Sequence, residues 1–200
     1  DAAKAGEYKL TKQEQSGFAL FQGKGQCKRC HPSSGKQPAF TDFTYDNLGV
    51  PSNPENPALL ADPDFRDPGL GGFLEFRGES EEVWQAELGK MKVPTLRNVG
   101  AKPTPEDVKA YAHNGYFKSL KGIVHFYNTR DVKPLCEDDP STPENESQFT
   151  TERDALAQGC WPAPEVAENV NMDELGNLGL TPEEEDAIVV IAVSSLLAEN

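Results

Sequence analysis

The spacing of apolar residues along the chain predicts helices joined by long polar segments. In residues 11–23, Phe18 and Phe21 lie one helical turn apart, and Thr11 with Glu14 matches a capping box at the start of a helix. Glycine follows directly, and glycine favours the backbone conformation found at helix ends. We therefore expect a short helix with one apolar edge here.

Two further helices are predicted in the second half of the chain. Residues 119–128 carry an apolar stripe at helical spacing, formed by Leu120, Ile123, Val124 and Tyr127. The last helix starts at Thr181 as N-cap with Pro182 in the first helical position. Its apolar residues cover more than one face, so we expect it to be buried on several sides and to cross the first helix.

Shorter elements are predicted between these helices. Residues 80–88 fit one or two helical turns, and residues 104–115 fit a helix that ends at Gly115. Residues 32–68 are too rich in Pro and Asn for a long helix, so we expect an ordered wrap around the core. The apolar anchors of this wrap are Phe40, Phe43, Tyr45 and Leu48.

Residues 129–171 are polar and rich in proline, which predicts a long loop insertion. Cys136 and Cys160 lie in this segment, and we expect them to form a disulfide that staples it. Two free buried thiols are the alternative. On the chain-entropy account such a bond contributes about 3 kcal/mol of stability.

Composition narrows the possible partners of the chain. The 200 residues suit one domain, which we place at 1–200, and the hydrophobic content of 36% is low for this size. A net charge of −14 argues against binding to nucleic acid or to an anionic membrane and favours a protein partner with a basic docking patch. No apolar run is long enough for a transmembrane segment.

The stretch "GKGQCKRCHPSS", residues 23–34, places three of the seven Cys and His residues within five positions. A chain of this composition contains such a pattern by chance in roughly one case in a thousand. The spacing is typical of covalent haem attachment, in which Cys27 and Cys30 bond to the haem vinyl groups. His31 then binds the iron from one side. We expect one covalent haem c.

Zinc and thiol redox chemistry are the competing interpretations of this motif. Structural zinc requires four ligands, and no second Cys/His pair with similar spacing is present. A redox Cys pair follows a β-strand, whereas no alternating strand pattern precedes Cys27. Covalent haem attachment takes place outside the cytoplasm, so we expect a periplasmic or secreted protein. The start "DAAKAGEYKL" is compatible with a signal peptide that has been removed.

Together these features predict a mainly α-helical fold similar to class I cytochrome c, with long ordered loops and a disulfide-stapled insertion. Four stretches add a more specific resemblance: "FTDFTYDNLGVP", "KVPTLRNVG", "YAHNGYFKSLKGIVHFYN" and "LGLTPEEEDAIVVIAVSSL". They resemble the C-terminal haem domain of bacterial dihaem cytochrome c peroxidases and MauG-type enzymes.

This resemblance implies a monohaem relative of that family, because a second haem-attachment motif is absent from the sequence. We expect a c-type cytochrome that transfers single electrons between redox protein partners. Two alternatives remain: a peroxidase-like haem enzyme, with His113 or a glutamate as its acid or base, and the haem subunit of a larger redox complex.

The sixth position on the iron has several candidate ligands. The resemblance favours Tyr127, because MauG-type enzymes place a tyrosine ligand on the corresponding helix. Thioether ligation would come from Met91 or Met172, and imidazole ligation from His113 or His125. An open site is a further alternative.

Arg97 and Lys92 are the candidates to pair with the haem propionates, since a buried carboxylate needs a cation or a hydrogen-bond donor. Arg97 is preferred because Leu96 and Val99, on either side of it, are apolar. The alternative for Lys92 is an exposed surface charge.

Overall fold

The computed structural model describes residues 9–100, 110–136 and 150–193. Within these ranges the protein is mainly helical, as predicted, with long ordered connections and a short two-stranded sheet. The helices are α1 (Lys12–Gln22), α2 (Pro57–Ala61), α3 (Gly69–Phe76), α4 (Glu81–Gln85), α5 (Leu120–Thr129), α6 (Glu152–Gln158) and α7 (Pro182–Val193). Antiparallel strands β1 (Tyr45–Asp46) and β2 (Met91–Lys92) pair Tyr45 with Lys92 and Asp46 with Met91.

Helices α1 and α7 cross each other at close range, as predicted. Gly17 makes this possible, because a Cβ atom at that position would collide with the backbone carbonyl of Ala187 in α7. The predicted capping box starts α1: the Thr11 backbone N–H donates to Glu14 at 2.7 Å, and the Glu14 N–H donates to the Thr11 hydroxyl at 3.2 Å. A larger residue than glycine at position 17 would push the two helices apart.

Helix α5 packs on the other side of α7 and is held to it by polar contacts. Ser119 caps α5, since its hydroxyl accepts a hydrogen bond from the Gly122 N–H at 2.9 Å. The buried carboxylate of Glu185 in α7 accepts hydrogen bonds from the Asn128 amide at 2.6 Å and from His125 at 2.9 Å. These contacts set the position of α5 relative to the crossing helices.

Cys136 and Cys160 form a disulfide, as predicted from the sequence. Residues 129–171 were predicted as a long loop insertion, but the described part of this segment contains regular structure. Helix α6 lies within this segment, and Trp161 is 1% exposed, with its ring centroid 5.1 Å from that of Phe126 in α5. The second half of the predicted loop is therefore part of the hydrophobic core.

Some predicted elements differ from the structure. Residues 101–109 lie outside the described ranges, and residues 110–115, predicted as the end of a helix, form a turn instead. Phe40 is 2% exposed and anchors the wrap as predicted, but Phe43 is 63% exposed. Phe43 has a φ of 64°, and its ring faces outward beneath the Lys92 ammonium.

Helix α3 was not among the predicted elements, because Gly69, Gly71 and Gly72 disfavour a helix. It forms through tertiary contacts, since the Leu70 and Gly71 N–H groups donate to Lys90 and Glu87 carbonyls at 2.9 and 3.0 Å. No helix in the described ranges is long and apolar enough to cross a membrane.

Candidate haem site

A mostly apolar cavity of about 510 Å³ lies between α1, α5 and α7. This volume is in the range of small-molecule and cofactor sites. The stripe predicted on α5 forms one wall, and Cys27, Cys30 and His31 lie on another. Further apolar lining comes from Phe21, Val93, Leu96, Val99, Leu175, Leu178, Ile188 and Ile191.

The attachment motif forms a tight turn that places its side chains at this cavity. Cys27–Arg29 is a single 3-10 turn, and the His31 N–H donates to the Cys27 carbonyl at 2.9 Å. His31 Nδ1 lies 2.7 Å from the Phe40 carbonyl oxygen. Because a carbonyl only accepts, Nδ1 carries the proton and donates, which leaves Nε2 with a lone pair for a metal.

Burial also keeps His31 in the form that binds metals. It lowers the pKa of His31, although the hydrogen bond to Phe40 and the charge of Asp42 act in the opposite direction. A lowered pKa means a neutral imidazole at neutral pH. A neutral imidazole is the form that ligates iron.

The two thiols are not poised for redox or zinc chemistry. Burial raises the pKa of Cys27 to about 12, and burial together with Glu174 raises that of Cys30 to about 12. A reactive thiolate pair requires lowered pKa values instead. In the described ranges, Cys30 shares metal-ligand spacing only with Asp46 and Glu174, a group that omits Cys27 and His31. The geometry therefore argues against zinc held by the motif.

The residues present fit a covalent haem. The cavity offers apolar walls, two neutral thiols on one turn and an oriented imidazole nitrogen, which together match the needs of a buried macrocycle with an axial histidine. Cys27, Cys30 and His31 would hold the group. The site is thus compatible with the expectation from the motif.

Tyr127 and Met91, two of the candidate sixth ligands, both line the cavity. Burial raises the pKa of Tyr127, and the charge of Asp46 acts in the same direction. Met172 is 63% exposed and lies outside the lining, and its sulfur accepts a hydrogen bond from Arg130 at 3.4 Å. The structure therefore does not bring Met172 to the cavity.

The two histidines suggested as ligands occupy different surroundings. His113 lines the cavity, and its Nε2 is 2.8 Å from Oε2 of the buried Glu165. His125 is not among the lining residues; its Nδ1 is 2.9 Å from Oε1 of Glu185. His125 is therefore an ordinary hydrogen-bonded histidine, whereas His113 remains available to the cavity.

Of the two residues expected to pair with the haem propionates, Lys92 lies at the cavity and Arg97 does not. Lys92 lines the cavity at its exposed rim, and its ammonium lies 4.8 Å from the centre of the Phe43 ring. Arg97 is outside the lining; its Nε donates to the Pro38 carbonyl at 2.8 Å, and its guanidinium lies over the Phe40 ring. The preference for Arg97 is thus not supported by its position.

Sequence reasoning missed a polar part of the cavity wall. Asp46 and Glu174 both accept hydrogen bonds from the Asn171 side-chain amide, at 2.6 and 2.8 Å, and Arg29 lies 2.6 Å from Glu174. Burial raises the pKa of Asp46. Glu165 was missed as well. No local pattern identifies these residues, because their partners are distant in the sequence.

No family model matches the chain. The methylamine utilization protein MauG of Paracoccus denitrificans is 29% identical over 192 residues, which cover 88% of this chain and 40% of MauG. The cytochrome-c peroxidase IdrP2 of a Pseudomonas strain is 32% identical over 135 residues, which cover 64% of this chain and 34% of that protein.

Among solved structures, the Y463M variant of the diheme peroxidase BthA from Burkholderia thailandensis superposes with a TM-score of 0.70 and 27% identity. The match covers 96% of this chain and 43% of that one. The comparisons confirm the family resemblance and the cytochrome c-like helical fold. The chain spans less than half the length of the relatives it matches.

Proposed function

We propose that this chain, a relative of MauG and of the dihaem cytochrome c peroxidases, is a haem domain with peroxidase-like activity. In this proposal residues 1–200 form one domain with one covalent haem c. The observation that carries the proposal is the apolar cavity, whose lining includes Cys27, Cys30, His31 and His113. A haem bound there would supply the redox chemistry.

The residues of the cavity would divide the remaining tasks. Cys27 and Cys30 would hold the macrocycle, and His31 would offer Nε2 to the iron because its Nδ1 is held by the Phe40 carbonyl. Tyr127 is our preferred further ligand of the iron in the absence of peroxide, since it lies on the α5 wall. Lys92 is placed at the rim, where it could pair with a propionate.

The enzymatic alternative is favoured over the electron carrier predicted first. Two of the relatives are named peroxidases, and a simple carrier needs no hydrogen-bonded histidine at the haem cavity. His113, bound to the buried Glu165, is a group that can move protons. We accordingly propose a peroxide as the oxidising substrate.

Electrons would reach the domain from a redox protein with a basic docking patch, because this chain carries a net charge of −14. We also propose a location outside the cytoplasm, periplasmic or secreted. Thioether attachment of haem and the Cys136–Cys160 disulfide both suit an oxidising compartment.

Production in a host that matures c-type cytochromes tests the proposal. We expect haem that resists acid-acetone extraction, and turnover of hydrogen peroxide above that of free haem when a reductant is supplied. Bound haem without peroxide turnover would favour the electron carrier, and bare polypeptide would contradict both functions.

The sixth ligand has a matched pair of variants. Tyr127 and Tyr111 both line the cavity. Tyr127→Phe should change the visible spectrum of the oxidised protein, whereas Tyr111→Phe should leave it unchanged. An unchanged spectrum in Tyr127→Phe rejects this residue as the ligand and leaves Met91, His113 or an open position.

A further inference from the structure

We propose that Glu165 is a positioning residue that holds His113 with its proton on Nε2, so that Nδ1 accepts a proton from a substrate in the cavity. The proton-accepting role rests on the proposed peroxidase-like function. The protonation state of the ring does not, because it follows from hydrogen bonds within the protein.

The Glu165 carboxylate is surrounded by hydrogen-bond donors. The Asn114 amide donates to its Oε2 at 2.9 Å, and the Asp67 N–H approaches its Oε1 at 3.4 Å. The orientation of Asn114 is determined by its other contacts: Nδ2 also donates to the Pro51 carbonyl, and Oδ1 accepts from the Tyr116 N–H. The group facing Glu165 is thus the amide NH₂.

These donors decide which nitrogen of His113 is protonated. An ionised carboxylate can only accept, so His113 Nε2, at 2.8 Å from Oε2, is the donor. A neutral imidazole has one N–H, which leaves Nδ1 as a base. A proton can then pass from the O–H of a hydrogen peroxide to Nδ1, leaving a hydroperoxide anion. The charge of Glu165 stabilises the imidazolium that forms.

Hydrogen bonds fix the backbone of Glu165 and that of Asn114, the residue that follows His113. The Glu165 N–H donates to the Val50 carbonyl at 2.9 Å, and the Asn53 amide donates to the Asn114 carbonyl at 2.9 Å. Ala112, next to His113, has a φ of +67°, a left-handed conformation that is unfavourable for alanine. Such conformations persist where the surroundings impose them, and they concentrate at functional sites.

A second histidine–glutamate pair in the same protein provides the control. The side chains of Glu165 and Glu185 are 5% and 4% exposed, and each contacts a histidine within 2.9 Å. Only His113 lines the cavity. Glu185 also accepts hydrogen bonds from Asn128 and pairs with Lys121, so its role is to join α5 to α7. The Glu185 pair therefore shows what a purely structural contact between a histidine and a buried glutamate looks like in this protein. The Glu165 pair differs from it because its histidine lines the cavity.

NMR of the holoprotein labelled with ¹⁵N-histidine tests the protonation state of the His113 ring directly. The reduced protein is used when it is diamagnetic, and the apoprotein is used otherwise. The chain has three histidines, so the ring signals can be assigned with His113→Gln and His125→Gln. We expect the His113 proton on Nε2. Glu165→Leu should remove this preference, because Nε2 then has no acceptor to which it can donate. Glu185→Gln should leave the His113 signals unchanged.

A proton on Nδ1 of His113 in the wild type would overturn the inference, as would an unchanged ring in folded Glu165→Leu. The wild-type measurement decides the matter even where Glu165→Leu does not fold. It is also independent of the proposed function, since the ring can be observed whether or not peroxide reacts.

The rate of reaction with hydrogen peroxide tests the role of Nδ1. We expect Glu165→Leu to slow this reaction about 100-fold, in the range for a displaced general base, with an unchanged haem spectrum. Glu185→Gln should react at the wild-type rate. A changed tautomer with an unchanged rate would overturn the proton-accepting role. A wild-type holoprotein that does not react with peroxide would contradict this role and the proposed function together.

Discussion

Two apolar clusters of this protein differ in how completely the polypeptide closes them. The aromatic cluster consists of Val50, Tyr116, Phe117, Phe126, Cys136, Ala155, Cys160 and Trp161, all buried. The helix-crossing cluster has three buried residues, Phe21, Phe40 and Ile191, surrounded by the partly buried Leu10, Phe18, Cys27, Leu96, Val99 and Ala192. Two of the three buried members of the second cluster, Phe21 and Ile191, line the haem cavity, against one of the eight buried members of the first, Val50. The first cluster otherwise meets the cavity through partly buried residues packed against it: Leu48, Tyr111, Ile123 and Tyr127.

The difference indicates where the haem would contribute to stability. The aromatic cluster is packed by side chains and a disulfide, so it should persist without a cofactor. The helix-crossing cluster opens onto the cavity, and an apolar macrocycle would complete its packing. This division explains how a chain with only 36% hydrophobic residues can form a core.

Removal of the attachment thiols should have the largest effect. Cys27→Ala with Cys30→Ala should abolish covalent haem and expose the apolar wall of the helix-crossing cluster to water. Hydrogen exchange should then show lost protection in α1 and α7 and retained protection in α5. Equal loss in all three helices would mean that the two clusters are not separate units.

Trp161→Ala should damage the aromatic cluster. Loss of a fully buried Trp is expected to cost about 3–5 kcal/mol of unfolding free energy, measured by denaturant titration. Phe76→Ala is the control, because Phe76 is 87% exposed and its loss should cost little. The haem spectrum of the folded Trp161→Ala protein should stay close to wild type; a changed spectrum would show that the clusters are coupled.

Loss of the disulfide should have a similar or smaller effect on the same cluster. Cys136→Ser with Cys160→Ser is expected to cost about 3 kcal/mol, because the open chain gains conformational entropy when unfolded. Denaturant titration of the double variant measures this cost. A single Cys→Ser variant is a poor substitute, since it leaves a free thiol. Unchanged stability would indicate that packing around Trp161 alone holds residues 150–171.

Acidification should have the smallest effect on stability, and this effect should come from the contact between α5 and α7. Burial by itself would raise the pKa of Glu185, but hydrogen bonds from Asn128, His125 and Lys121 outweigh it, so the pKa lies below its ordinary value of 4.5. The stabilisation is therefore present above pH 4.5 and is lost as the pH falls through the lower folded-state value.

The free energy of unfolding, measured between about pH 3 and 6, would show how much of its pH dependence comes from Glu185 at the contact between α5 and α7. Glu185→Gln should lose the corresponding part of the pH slope. Glu183→Gln, in the same helical turn but exposed, should keep it. An identical slope in the wild type and in Glu185→Gln would contradict the assignment.

Local patterns predicted much of the fold. The caps at Thr11 and Thr181, the Tyr127 stripe and Gly23 each depend on residues within a few positions of the chain. The first, middle and last helices form where such patterns occur. Helix α3 forms against its local preference because the Lys90 and Glu87 carbonyls, which lie outside the helix, accept hydrogen bonds from its first N–H groups. Phe43 was assigned to the core because hydrophobicity does not reveal side-chain direction in an irregular segment.

The haem-attachment motif, the mainly helical fold and the apolar stripe of α5 are properties that the sequence by itself determined, because each depends on spacing over a few residues. Only the tertiary structure decided that His113 meets Glu165, 52 positions away, and that Met172 lies outside the cavity while Tyr127 lines it. The physical reason is that contacts between distant residues depend on how the helices pack and on where the connecting segments return to the core.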